Sequence, residues 1–313
     1  MMLYLVFLLF FFIAMIGYFK TAERYKIIDK PNERSSHTEL TIRGGGIIYL
    51  FAALCIGVLH PQQWMPILGI ITIGTISFID DRITLSSKIR ILVHLAAVSL
   101  LFYGLDLFQI LPWWGAILLY IVVIGVINAY NFMDGINGIT GVYTLVVLSG
   151  LQYVNLVQVE FVNPDMIWLP LLATVVFLYF NFRKRAKCFA GDVGSVSVAF
   201  WIIWLMLELM IKTESFQYIL FLAVYGVDAI LTIIHRLMLR QNIFEAHRLH
   251  FYQILANDQK VPHLVVSTAY GLLQLIIIVV VILGSDFSTL FLLTIIPLSL
   301  IYILVKPKLM IKR

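Results

Sequence analysis

Residues 114–138 read WGAILLYIVVIGVINAYNFMDGING, and the two halves of that stretch decide what kind of protein this is. From Trp114 to Tyr130 there is no charged side chain and no alternation of polar with apolar residues. Such a run suits a helix crossing a bilayer, which takes roughly 20 residues at about 1.5 Å each, and not a strand of a membrane barrel. Asn128 to Gly138 then gathers three Asn, an Asp and two Gly in eleven residues, where the span must turn back. One apolar rod ending in hydrogen-bonding chemistry is the pattern of the whole chain.

Working outward, further apolar stretches fall at 2–19, 45–59, 66–79, 89–103, 139–157, 166–182, 193–211, 216–234, 263–283 and 287–305. Composition agrees: of 313 residues, 61% are hydrophobic and 12% charged, and the mean hydropathy is +0.97. A soluble domain carries about 25% charged residues, so this chain cannot dress itself in a polar surface. A soluble enzyme, a secreted disulfide scaffold and a nucleic-acid binder are excluded, the last despite a net charge of +5. The sequence predicts an all-α polytopic membrane protein with about eleven transmembrane helices, residues 1–313 forming a single integral membrane domain. Helix 1 has no basic leader before it and no small-residue cleavage site after it, and is expected to be retained. Cys55 and Cys188 lie too far apart in this scheme to suggest a disulfide or a zinc site.

Charge sets the orientation. With eleven spans, all of the 22 Lys and Arg except Lys212 fall in connections on one side. That side is expected to be cytoplasmic, with the N-terminus outside and the C-terminus inside. Trp64, Trp113, Trp114 and Trp168 sit near span ends, as interfacial belt residues do.

The same side collects the acids that lie beside Gly and Asn. Asp80-Asp81-Arg82 closes helix 3, Asn128 to Gly138 joins helices 5 and 6, and Gly191-Asp192-Val193-Gly194-Ser195 opens helix 8. Each alone reads as an ordinary turn or cap, with Asp192 well placed to cap helix 8. Together, flanked by Lys and Arg, they read as a divalent-cation site that handles phosphate. Mg²⁺ binds through one or two carboxylates with substrate phosphates, and carboxylates alone would repel an anion. A helix N-terminus such as that of helix 8 can donate N–H groups to phosphate. The last cytoplasmic connection holds Glu245-Ala246-His247-Arg248-Leu249-His250, where His247 and His250 can share a helical face and a cationic loop can grip a diphosphate. Asp228, inside helix 9, is a functional candidate or an internal ion-pair partner.

In combination these residues resemble the polyprenyl-phosphate N-acetylhexosamine-1-phosphate transferases (glycosyltransferase family 4 type). Asp29-Lys30-Pro31-Asn32-Glu33-Arg34-Ser35-Ser36-His37 with Arg43-Gly44-Gly45-Gly46 is similar to that family's opening loop. Asp80-Asp81 is similar to its aspartate pair, Asn128 to Gly138 to its Asn-x-x-Asn-x-x-Asp-Gly segment, and Asn181 with Lys187 through Ser195 to its fourth motif. The final loop resembles the His-Arg-x-His form of the O-antigen and capsule initiators, a branch associated with UDP-linked amino-deoxysugars. The chain departs from the pattern at Asn137, where many members have Asp, at Arg185, where they have Pro, and at Glu39-Leu40-Thr41, which lacks a proline.

The resemblance implies transfer of an N-acetyl-aminosugar 1-phosphate from a UDP-sugar to polyprenyl (undecaprenyl) phosphate at the cytoplasmic face of a bacterial inner membrane, releasing UMP and initiating a cell-surface glycan. It implies Mg²⁺ (or Mn²⁺) on Asp192, with Asp80 and Asp81 near the metal and the attacking lipid phosphate. It implies Asn128, Asn131 and Asp134 along the nucleotide-sugar site, together with Arg43, Asn181 and Lys187. His247, Arg248 and His250 would meet the diphosphate. The expected partners are the UDP-N-acetylhexosamine, the polyprenyl phosphate and the bilayer, with no nucleic acid; a homodimer is compatible. Two rivals carry less. A secondary transporter would show midplane charges and paired half-helices, and a membrane prenyltransferase would need Asp-x-x-x-Asp motifs.

Overall fold

The computed structural model describes residues 2–29, 40–242, 247–284 and 286–310; positions 30–39 and 243–246 of the motifs quoted above lie outside the described residues. Among the described residues the long apolar helices stand where the apolar stretches predict them: α1 (Met2–Arg24), α2 (Ile48–Leu59), α3 (Trp64–Asp80), α4 (Ser87–Gly104), α5 (Trp113–Met133), α6 (Ile139–Tyr153), α7 (Asp165–Asn181), α8 (Gly191–Thr213), α9 (Ala223–Met238), α10 (His263–Leu283) and α11 (Phe287–Met310). Among the described residues nine helical segments are long and apolar enough to cross a membrane. The helices at 45–59 and 165–181 are apolar but shorter, and they pack against each other. Aliphatic side chains such as Leu5, Val58, Leu92, Ile121, Leu293 and Leu304 remain exposed. An apolar surface spread over so many helices is what lipid contact requires and water would not tolerate.

Helix α8 is the centre of the bundle, packed on α2, α3, α5 and α6. Phe200, Trp201 and Trp204 are fully buried along it, and the Trp201 indole donates to the Met166 carbonyl of α7 at 3.0 Å. Its first turns allow a backbone crossing that only glycine permits. A Cβ on Gly46 would stand 2.0 Å from the Gly194 Cα. The Gly44–Gly46 and Gly191–Gly194 motifs therefore hold two chain segments together, instead of forming an open phosphate cradle.

The two ends of the bundle differ in chemistry. At one end the Asp165 carboxylate joins three helices, accepting from Tyr4 at 2.7 Å and lying 3.0 Å from His60 Nε2. This end holds the start of α1, the end of α2 and the start of α7. At the other end a two-residue ladder, β1 (Ile28–Asp29) with β2 (Thr41–Ile42), runs antiparallel, pairing Ile28 with Ile42 and Asp29 with Thr41. Ile42 also bridges to Cys188, which docks the first connection onto the entry to α8 and places Arg43 above it. α11 finishes at this end as well, where Gln259 Nε2 donates to the Leu309 carbonyl at 2.9 Å. The described chain thus starts and finishes at opposite ends.

Candidate active site

Asp81 is the first residue past α3, and its carboxylate is wholly enclosed. Its Oδ1 accepts from the Asp192 amide and its Oδ2 from the Val193 amide, each at 3.2 Å. Asp81 therefore caps α8 from a distant part of the chain. The sequence favoured Asp192 for that task; instead Asp192 lies inside the first turn and makes no cap bond. The expected free N-terminus for phosphate is likewise taken up by Asp81. Gly191 makes the approach possible: its φ is +70°, and a Cβ there would stand 2.5 Å from Asp81 Oδ2.

Arg43 binds this pair together. Its Nη2 lies 2.7 Å from Asp81 Oδ1 and 3.8 Å from Asp192 Oδ1, and its Nη1 lies 3.9 Å from Asp29 Oδ1. The Arg43 carbonyl is fixed by the Tyr18 hydroxyl at 2.5 Å. Burial pushes the Asp81 carboxyl up to about 7, and the neighbouring Asp192 charge adds to the effect against the opposing Arg43. Asp80, one residue back, accepts from the Leu85 amide at 2.6 Å and faces Arg90 Nη1 at 3.4 Å.

The segment between α5 and α6 completes this half of the site. Ser195 Oγ donates to Asn131 Oδ1 at 2.8 Å. Asp134 accepts from Thr140 Oγ1 at 2.6 Å, and burial, aided by Asp192, pushes its carboxyl up to about 6. Asn128 turns its amide back onto the Ile124 carbonyl of its own helix at 2.8 Å. Lys187 is exposed.

Two amides have more to do with the backbone than with a ligand. Asn181 is buried; its Oδ1 accepts from the Gly138 amide at 2.7 Å and its Nδ2 donates to the Cys188 carbonyl at 2.8 Å. Asn137 donates to the Arg183 and Lys184 carbonyls at 2.9 and 3.3 Å. A carboxylate at 137 has no hydrogen to give either carbonyl, which is a physical reason for Asn here.

The histidine loop forms the other half. His247 and His250 do not share a helical face: residues 247–249 are not helical, and a short helix begins only at Phe251. The two rings instead face one another, with centroids 4.9 Å apart. Burial, then His250 and Arg236, push His247 down to about 4. The Tyr252 hydroxyl donates to the Phe132 carbonyl at 2.9 Å and joins the halves. Gly135 leaves room for it, since a Cβ there would meet that hydroxyl at 2.2 Å. Thus Arg43, Asp81, Asn131 and Asp192 are in one contact network, Asp80 and Asp134 flank it, and the histidine loop docks beside them.

Several participants escaped the sequence reading. Thr140 and Tyr252 are ordinary residues whose partners lie across a turn or far away. Lys306 carried a readable signal, an ionisable residue continuing an apolar helix, and it is buried in α11.

The donor set suits a hard divalent cation. Asp192 is partly open, its side chain 27% exposed, whereas the oxygens of Asp80 and Asp81 already have protein partners. Among the described residues no three acidic, histidine or cysteine side chains form a protein-only metal cage. Mg²⁺ normally binds through one or two carboxylates and phosphate oxygens, so one open carboxylate fits it.

Residues 63–210 match the family described as glycosyl transferase family 4. The matched segment holds Asp80, Asp81, the 128–138 segment and the start of α8, and ends before Asp228 and the histidine loop. The chain is 27% identical over 260 residues to an undecaprenyl-phosphate alpha-N-acetylglucosaminyl 1-phosphate transferase of Salmonella typhi, covering 75% of this chain and 71% of that one. It is 26% identical over 255 residues to a phospho-N-acetylmuramoyl-pentapeptide-transferase of Thermotoga neapolitana, covering 74% and 82%. With an undecaprenyl-phosphate alpha-N-acetylglucosaminyl 1-phosphate transferase of Yersinia pestis it shares 30% identity over 210 residues, covering 60% and 57%.

Proposed function

We propose that the chain, which resembles the polyprenyl-phosphate N-acetylhexosamine-1-phosphate transferases, is a phosphoglycosyltransferase that moves an N-acetyl-aminosugar 1-phosphate from a UDP-sugar to undecaprenyl phosphate. The observation that carries this reading is the network in which Arg43 joins the enclosed Asp81 to the partly open Asp192, at the end of the bundle that gathers the basic connections.

An oxygen of the lipid phosphate attacks the β-phosphorus of the UDP-sugar, the bond from that phosphorus to the bridging oxygen breaks, and UMP leaves with the bridging oxygen and its electron pair. The nucleophile is largely ionised near neutral pH, so positioning and charge neutralisation do most of the work. Mg²⁺, or Mn²⁺, held on Asp192 with Asp80 and Asp81 nearby, would neutralise charge on the phosphates. Asp81 fixes the first turn of α8 and so presents Asp192. Arg43 balances both carboxylates and stays at hand for a phosphate oxygen. Asn128, Asn131, Asp134 and Lys187 face the nucleotide sugar, with Arg248 and the two histidines toward its diphosphate.

The basic end would face the cytoplasm of a bacterial inner membrane, with the start of α1 outside, following the distribution of Lys and Arg. That is where a soluble UDP-sugar and the head of a lipid phosphate can meet. The polar cluster sits at helix ends, whereas a transport site would lie at the midplane. The test is to supply purified protein with Mg²⁺, undecaprenyl phosphate and a panel of UDP-N-acetylhexosamines and UDP-amino-deoxysugars. UMP formed in step with a lipid-linked sugar supports the reading. UMP without the lipid points to hydrolysis, and no UMP from any donor counts against transfer.

A further inference from the structure

The mechanism leaves one buried carboxylate without a task. Asp228 is 3% exposed within α9, and a carboxylate at such a place is strongly unfavourable unless it is paired. The structure compensates it fully. Its Oδ1 accepts from the Phe251 amide at 2.9 Å and from Thr232 Oγ1 at 3.2 Å. Its Oδ2 accepts from Tyr270 at 2.7 Å and from the Tyr252 amide at 3.4 Å. From below, Lys306 Nζ donates to Tyr302 and, at 3.4 Å, to Thr232, so a buried ammonium faces the carboxylate through hydroxyls.

Above that assembly lies His250, itself 2% exposed. Its Nδ1 is 3.4 Å from Asp228 Oδ1, a contact by charge and proximity, and neither ring nitrogen makes a hydrogen bond among the described residues. The ring stands between His247 and Phe132, with centroid distances of 4.9 and 6.3 Å. Phe132 follows Asn131, which is bonded to the first turn of α8. Nδ1 is thus the ring nitrogen that lies against a fixed carboxylate, and Nε2 has neither a hydrogen bond nor a charged neighbour of that kind beside the proposed substrate site. A carboxylate at one nitrogen sets the orientation and tautomer of an imidazole.

We propose that Asp228 is the positioning residue of His250, holding Nδ1 inward so that the ring meets a donor-phosphate oxygen through Nε2. The same carboxylate draws in the Phe251 and Tyr252 amides, so it fixes the backbone of the loop together with the ring. Tyr302, Thr232 and Lys306 hold Asp228 in register from α9 and α11. The proposal rests on the transfer reading above.

A double-mutant cycle tests it, using the full chain in bilayers and the UMP assay. Asp228→Asn keeps an oxygen for the Phe251 amide and removes the charge. Its kcat is expected to fall about tenfold or more, with KM for the UDP-sugar changed less than about threefold. In a His250→Ala background the same substitution is expected to change kcat by less than about twofold, because the two residues act as one unit. Equal losses in both backgrounds, or full activity of Asp228→Asn, would overturn the proposal while leaving transfer intact. Full activity of His250→Ala would overturn it together with the placement of the loop. If Asp228→Asn does not accumulate, Tyr270→Phe goes through the same cycle, coupling supporting the proposal and additivity overturning it.

Discussion

Asp81 caps the helix that presents Asp192: its two oxygens take the Asp192 and Val193 amides at 3.2 Å each, while Arg43 lies 2.7 Å from one of them. One side chain therefore does structural and electrostatic work that substitution can separate. Asp81→Asn keeps an acceptor for α8 and loses the charge that holds Arg43. Asp81→Ala loses both. The alanine variant should be less stable than the asparagine variant by about 1 kcal/mol, the usual worth of a cap. Both should fall well below wild-type turnover. Thermal unfolding in detergent beside UMP release measures the two effects; equal stability of the variants would remove the cap.

Asp81 also predicts a pH dependence. Its carboxyl is pushed up to about 7, burial first and Asp192 second, so the folded state keeps a proton that the unfolded chain has already lost. Its contribution to stability is then present at low pH and declines between about pH 4 and pH 7. In EDTA the unfolding temperature of wild type relative to Asp81→Asn should fall across that range. Mg²⁺ should stabilise more at pH 8 than at pH 5, because cation and proton compete for the same acidic cluster. A difference that stays flat from pH 4 to 8 would show that Asp81 ionises normally.

Gly46 and Gly226 should respond oppositely to alanine. A Cβ on Gly46 lands 2.0 Å from a backbone atom of Gly194, whereas nothing lies within 4 Å of one on Gly226. Gly46→Ala is expected to cost about 3 kcal/mol or more. Gly226→Ala, inside a helix, should be neutral or gain about 0.5–1 kcal/mol. Comparable unfolding temperatures for the two would contradict the crossing of the chain at the entry to α8.

Asn137→Asp places a carboxylate against the Arg183 and Lys184 carbonyls. Losing both donated bonds in a buried place should cost about 1–3 kcal/mol. A variant as stable as wild type would mean the amide is dispensable there.

How far the sequence disclosed this molecule depends on the range of the interaction. The apolar helices were legible because an apolar run is a local property, and Asp80 and Gly191 stand at helix ends as read. The contacts that make a site are not local. Nothing in Asp80-Asp81-Arg82 says that its second aspartate caps a helix 111 positions later. The spacing of His247 and His250 suggested a helix, but Asp228 draws the Phe251 and Tyr252 amides and starts the helix beyond them. Asn181 and Asn137 sit in motifs that suggest ligands, yet their amides are engaged by carbonyls and an amide of neighbouring loops. α2 and α7 gave apolar stretches like the rest, and the structure shows them as helices shorter than the nine span-length segments.

The central claim is that Asp192, presented by the capped first turn of α8, carries phosphoglycosyl transfer. Its most direct measurement is UMP release by Asp192→Asn and wild type in bilayers, with undecaprenyl phosphate, the accepted UDP-sugar and Mg²⁺. The account predicts an unfolding temperature close to wild type and turnover lost by about 100-fold or more. Wild-type turnover by that variant would contradict it.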